Sequence, residues 1–146
     1  MSLRLDDQLC FSLYAASRAL TAIYTPLLAP LGLTYPQYLV MLVLWETDGV
    51  SVKAIGDRLA LDSGTLTPLL KRLEAQGLVT RQRSTADERV VEIHLTAEGK
   101  RVKQRARSIP EKLVCKMGVP VTDIARLRDE LNAITAAART TDDAAE

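Results

Sequence analysis

Leu9, Leu13, Ala16, Leu20, Ile23 and Leu27 recur at intervals of four, three, four, three and four. This is the rhythm of a helix with a narrow apolar seam rather than one buried all round. Near the other end Ile124, Leu127, Leu131, Ile134 and Ala138 repeat it. A chain of 146 residues could bury both seams on itself, but two terminal seams on so small a domain suggest a dimer. Between them the pattern shortens. LTYPQYLVMLVLWE predicts a helix with Thr34 as N-cap, Pro36 in the first turn and Gln37 closing a capping box, ending before the turn at Asp48 and Gly49. SVKAIGDRLA predicts a second helix, capped by Ser51, with Val52, Ile55 and Leu59 inward. DSGTLTPLLKRLEAQGLV predicts a third, capped by Asp62 or Ser63 and stopped at Gly77.

LVTRQR and VVEIHL then have strand character and are joined by the polar turn STADER. Thr96 should cap a long helix through Met117, kinked or broken at Pro110, with Gly118 and Pro120 separating it from the last helix. This order predicts a mainly α fold with a small β-hairpin wing, a winged helix-turn-helix whose second helix enters the DNA major groove. The expected organisation is one domain over 1–146, with the DNA-binding part at 34–96, dimerisation helices at 3–33 and 97–139, and a small, acidic, fraying tail at 140–146.

Charge sharpens this picture only when divided along the chain. The formal net charge is +1, but residues 1–70 sum to −2, 71–116 to +6 and 117–146 to −3. A concentrated positive block suits a nucleic-acid-facing surface, although a solvated helix face gives the same sum. With 47% hydrophobic and 25% charged residues the composition is that of an ordinary globular protein. MSLRLDDQL lacks the basic flank and long apolar core of a signal peptide, and no stretch approaches a membrane span, so a cytoplasmic protein is expected. Two cysteines 105 positions apart offer no metal-ligand spacing, and a reducing compartment argues against a permanent disulfide. No metal or cofactor is expected.

In the third predicted helix Leu66, Leu70 and Leu73 share one face, while Gly64, Pro68, Lys71 and Arg72 lie opposite. Gly and Pro on an exposed face suit a helix whose backbone approaches DNA closely. Ser63, Thr65 and Thr67 could bond phosphates or base edges, and Lys71 and Arg72 are better placed for phosphates. Pro68 costs a backbone hydrogen bond unless the helix starts late, near Gly64, or bends. In the hairpin Arg81 and Arg83 share a strand face, and Arg89 follows Asp87 by two at the turn. That arginine could enter the minor groove, or the pair could simply tie the hairpin. Trp45 reads as core, His94 as a surface residue away from any carboxylate or cysteine cluster, and Tyr14 and Tyr38 as aromatic packing or as the lining of a pocket around a thiol, packing being the plainer reading.

The run DERVVEIHLT resembles the wing signature of the MarR family of dimeric bacterial repressors. LCFSLYAASR, LTYPQYLVMLVLWE and LDSGTLTPLLKRLEAQGLVTRQRSTADER resemble its organic hydroperoxide resistance branch, over nearly the whole chain to about residue 97. The resemblance implies a homodimeric repressor of double-stranded operator DNA, not an enzyme, with organic hydroperoxide as its oxidant. It implies that Cys10 is the peroxidatic thiol, that Tyr24 and Tyr35 hydrogen-bond its thiolate, and that Cys115 condenses with oxidised Cys10 across the dimer. Cys10 and Tyr24 sit fourteen residues apart on one predicted helix, roughly 21 Å at 1.5 Å per residue, so they could meet only between subunits. Without the resemblance both cysteines read as small core hydrophobes. The alternatives are a repressor responding to a phenolic ligand, or a thiol peroxidase.

Overall fold

The computed structural model describes residues 2–143. A 3-10 turn at Leu5–Asp7 leads into α1 (Leu9–Leu28), and a second at Ala29–Leu31 joins it to α2 (Tyr35–Glu46). The chain continues through β1 (Val50–Ser51), α3 (Val52–Leu59), α4 (Ser63–Ala75), β2 (Val79–Arg83) and β3 (Val91–Leu95). It ends with α5 (Ala97–Ala106), α6 (Ile109–Met117) and α7 (Val121–Asp143). Two compact units divide between Ile109 and Pro110.

In the first unit α2 is the central element. Its capping box forms as the sequence predicts, with Thr34 Oγ1 accepting from the Gln37 N–H and the Gln37 side chain accepting from the Thr34 N–H. Gln37, Tyr38, Val40, Met41, Val43, Leu44 and Trp45 are all buried. Leu28, Ile55, Leu66, Leu70, Leu73 and Ile93 close around them. Full burial of an aliphatic or aromatic side chain contributes roughly 1.5–3 kcal/mol, so these side chains are the main source of the unit's stability.

The turn between α3 and α4 needs Gly56, because a Cβ there would lie 2.9 Å from the Leu61 carbonyl oxygen. Asp62 is the N-cap of α4, and Ser51 caps α3. Gly99 plays the same spacing role at the start of α5, where the Leu78 carbonyl leaves no room for a side chain. Around it Thr96 caps α5 and donates its hydroxyl to Gly77 O at 2.6 Å, and the Trp45 indole donates to Gly99 O at 3.0 Å.

Several expectations need correction. The expected hairpin of β2 and β3 forms, and a short third strand, β1, extends it to an antiparallel sheet ordered β1-β3-β2, with Val50 opposite Ile93. Two residues are too few to show alternation, which is why β1 was invisible in the pattern. The long helix expected from Thr96 to Met117 is broken, but upstream of Pro110. Helix α5 stops at Ala106 and Pro110 is the second residue of α6, where its missing N–H leaves no helical bond unmade. Helix α4 starts at Ser63, one residue before the expected start near Gly64, and runs through Pro68. Helix α7 extends to Asp143, and of the 140–146 tail the last three residues lie outside the described residues.

The seam of α1 is buried only in part. Leu28 is fully enclosed and Leu20, Ile23 and Leu27 are half-buried, whereas Leu9, Phe11 and Tyr14 face solvent in this chain. In the second unit Leu127, Leu131 and Ile134 of α7 are likewise exposed. No single helix among the described residues is long and apolar enough to cross a membrane.

Candidate functional site

Helix α4 presents Ser63, Gly64, Thr65, Pro68, Lys71 and Arg72 to solvent, with Thr67 half-buried and Leu66, Leu70 and Leu73 inward. The division follows the 3.6-residue period read from the sequence. The Asp62 cap binds the first turn through both oxygens: Oδ1 accepts from the Thr65 N–H at 2.8 Å and Oδ2 from the Thr65 hydroxyl at 3.1 Å. These bonds hold the Asp62 carboxyl below the usual carboxylate range. The Thr65 hydroxyl proton is therefore committed to the cap, and only its lone pairs face outward. Pro68 lacks the N–H that would donate to the Gly64 carbonyl, at a position where both residues lie on the exposed face of the helix.

The wing holds its arginines differently. Arg81 pairs with Ile93 and Arg83 with Val91, so both share the inward face of the sheet. Arg81 is half-buried and borders an open groove with Lys53 and Asp57 of α3, Ser63 of α4 and Arg89 of the wing turn. Lys53 escaped the sequence reading, since nothing in SVKAIGDRLA signals that its helix start faces the wing. Arg83 donates to Glu88 O at 2.9 Å, tying the turn to its strand. Asp87 grips Arg89 through both oxygens, accepting from Nε and Nη2 at 3.1 Å each and from the Arg89 N–H at 3.0 Å. This fork lowers the Asp87 pKa and raises that of Arg89, which remains highly exposed. His94 belongs to no carboxylate cluster among the described residues, but its Nε2 lies 3.2 Å from the single carboxylate of Glu92, because residues two apart on a strand share a face.

Cys10 and Cys115 are both free thiols and both exposed in this chain, which removes the reading of either as a core hydrophobe. Cys10 is the second residue of α1, in the turn whose backbone N–H groups have no helical acceptor. Cys115 lies on α6, where Leu113, Val114 and Met117 are half-buried. Tyr24 and Tyr35, predicted from opposite sides of a turn, do come together. Their rings stack with centroids 4.4 Å apart and an interplanar angle of 27°. The Tyr24 phenol is pushed up to about 12 by burial first and then by the neighbouring phenols of Tyr35 and Tyr38. Tyr35 is raised by burial. Both phenols therefore stay protonated near neutral pH and can donate a hydrogen bond to an anion. Helix α1 is a single run from Leu9 to Leu28, so it holds Cys10 about 21 Å from Tyr24 along its axis. Tyr14 takes no part in this cluster; its ring lies under the Arg18 guanidinium, 5.5 Å from the centroid. Among the described residues no group of three or more His, Cys, Asp or Glu could hold a metal ion.

The family model for the transcriptional regulators SarA/Rot matches residues 22–106, from the Tyr24 end of α1 to the end of α5. The organic hydroperoxide resistance transcriptional regulator of Bacillus subtilis (strain 168) is 50% identical over 129 residues, 88% of each chain. A solved MarR-family transcriptional regulator from Rhodococcus sp. RHA1 superposes with a TM-score of 0.81 at 27% identity, covering 91% of this chain and 96% of that one. The chain belongs to the MarR family. Like the other MarR-family proteins to which it is similar, it is a transcriptional regulator and not an enzyme. AbfR of Staphylococcus epidermidis, 38% identical, has been solved reduced and bound to DNA, with a TM-score of 0.75 and coverage of 92% and 94%. A disulfide-formed AbfR matches at a TM-score of 0.64, covering 91% of this chain and 93% of that one.

Proposed function

We propose that this MarR-family regulator is a redox-sensing repressor, acting as a cytoplasmic homodimer on a near-palindromic operator and released when an organic hydroperoxide oxidises Cys10. The observation that carries this reading is the single helix α1, which sets an exposed thiol about 21 Å from a phenol that stacks on a second phenol. Neither group has an evident use alone. Pairing two copies through their exposed seams on α1 and α7 would bring Cys10 of each to Tyr24 and Tyr35 of the partner subunit.

The chemistry follows from the groups. The Cys10 thiolate attacks one peroxide oxygen, the O–O bond breaks, and the sulfur loses two electrons to become a sulfenic acid. The departing alkoxide takes a proton from solvent or a phenol and leaves as the alcohol. Cys115 of the partner subunit, as a thiol, then condenses with the sulfenic acid, forming the S–S bond and releasing water. DNA binding rests on Ser63, Thr65, Thr67, Lys71 and Arg72 in the major groove and on Arg81, Arg83 and the Asp87-oriented Arg89 at the flanking wing. The disulfide would favour a dimer whose two DNA-reading heads no longer match successive grooves, so the oxidant shifts a two-state equilibrium. AbfR, solved both on DNA and with a disulfide formed, supports the same pair of states.

The test is fluorescence anisotropy of the reduced protein on its promoter DNA, titrated with near-stoichiometric cumene hydroperoxide and then dithiothreitol. Release followed by recovery is expected, with Cys10→Ser insensitive. Cys115→Ser should form no intersubunit crosslink on non-reducing gels; a crosslink in that variant would remove Cys115 from the scheme. A wild-type protein that ignores cumene hydroperoxide but is released by a phenolic compound would establish the ligand-binding alternative.

A further inference from the structure

Tyr24 and Tyr35 are not a pair but two members of a set of three. Tyr38, one turn beyond Tyr35 on α2, is 2% exposed and places its ring centroid 5.7 Å from that of Tyr24, tilted by 43°. The Tyr24 ring thus has Tyr35 stacked on it at 4.4 Å and Tyr38 against it at a steeper angle. Tyr38 in turn meets Trp45 edge to face at 6.1 Å, and Trp45 is pinned by its N–H bond to Gly99 O. Offset and edge-to-face aromatic pairs contribute about 0.5–1.5 kcal/mol each beyond the area they bury, enough to hold a ring in one pose. The row Tyr24, Tyr38, Trp45 therefore runs from the half-buried Tyr24 to the start of α5, to which Trp45 is bonded.

We infer that Tyr38 is a positioning residue for peroxide sensing, its ring backing Tyr24 so that the Tyr24 hydroxyl is held where the thiolate of the partner subunit's Cys10 can accept its hydrogen bond. This deepens the proposed function and rests on its assignment of Tyr24. Misplacing a donor by about 1 Å can cost on the order of a hundredfold in rate, so a side chain that only fixes a ring angle has leverage on the reaction. Its hydroxyl acts separately: the Tyr38 phenol adds to the upward push on the Tyr24 phenol, itself receives one from Tyr35, and is raised mainly by burial.

The experiment compares full-length wild type, Tyr24→Phe, Tyr38→Phe and Tyr38→Leu, reading the second-order rate of Cys10 oxidation by cumene hydroperoxide and the alkaline ultraviolet titration of the tyrosines. Reduced operator affinity, measured on the same samples, checks folding, and Tyr38→Met replaces Tyr38→Leu if the latter does not fold. Tyr38→Phe is expected to react within about twofold of wild type, the conservative ring restoring the pose. Tyr38→Leu should react roughly tenfold or more slower, approaching Tyr24→Phe, with unchanged reduced affinity and a titration from which the highest phenol has moved down. Slow Tyr24→Phe with wild-type rates in Tyr38→Leu would overturn this inference alone. A Tyr24→Phe protein oxidised at the wild-type rate would overturn the phenol assignment and this inference with it.

Discussion

Asp87 holds the guanidinium of Arg89 through two oxygens, so a highly exposed cation of the wing is kept in one posture instead of sampling many. Asp87→Asn leaves the charge of Arg89 but not the fork, and the expected result is operator binding weakened severalfold with the steepness of its salt dependence kept. A variant that binds as tightly as wild type would make the pair a hairpin tie only. The fork should also be insensitive to mild acid. The folded pKa of Asp87 is depressed, so its ionised form persists below the usual carboxylate range and is lost only as pH falls through that lowered value. At the other end of the scale Tyr24 has a raised folded pKa, about 12 against an ordinary value of 10.0. Its contribution is complete below pH 10 and is lost as pH climbs to about 12, because the unfolded phenol ionises first. Urea unfolding of Tyr24→Phe should accordingly show a shallower fall in stability over that interval than wild type.

Among the elements, the start of α5 is where several constraints meet: the Thr96 cap, the Trp45 indole bond and the contact of Gly99 with the Leu78 carbonyl. Gly99→Ala should cost roughly 2–4 kcal/mol, since the added carbon meets backbone that cannot swing aside, and Trp45 fluorescence during denaturation reads it directly. Little of this could be read in advance. A cap such as Thr34 or Thr96 is legible because donor and acceptor lie three residues apart, and the face of α4 is legible because its leucines keep the helical period. The pairing of Val50 with Ile93 is not local, so β1 left no trace, and the inward turn of Arg81 depends on its register with Ile93. Pro110 marks the break in the sequence pattern, whereas in the structure it is the second residue of the helix that follows one. Cys10, Tyr24 and Tyr35 are legible only through family resemblance, and the sequence alone makes packing the plainer reading of Tyr38 over pocket lining, because its contact with Tyr24 crosses from α2 to α1.

At the scale of the whole molecule, α1 governs how the sensor must be put together. Its length places the thiol and the phenols of one chain at opposite ends of a rod about 30 Å long. Mixing Cys10→Ser with Tyr24→Phe subunits offers a direct check. Each homodimer should respond poorly to cumene hydroperoxide, but the heterodimer contains one intact thiol facing one intact phenol and should regain about one site's worth of rapid oxidation. A mixture no faster than its parents would mean that the two groups do not serve each other. If they do, every chain is the left half of one detector and the right half of another. Newly made chains are then deaf to peroxide until they find a mate, and the cell's alarm is armed by the same encounter that first allows the operator to be gripped.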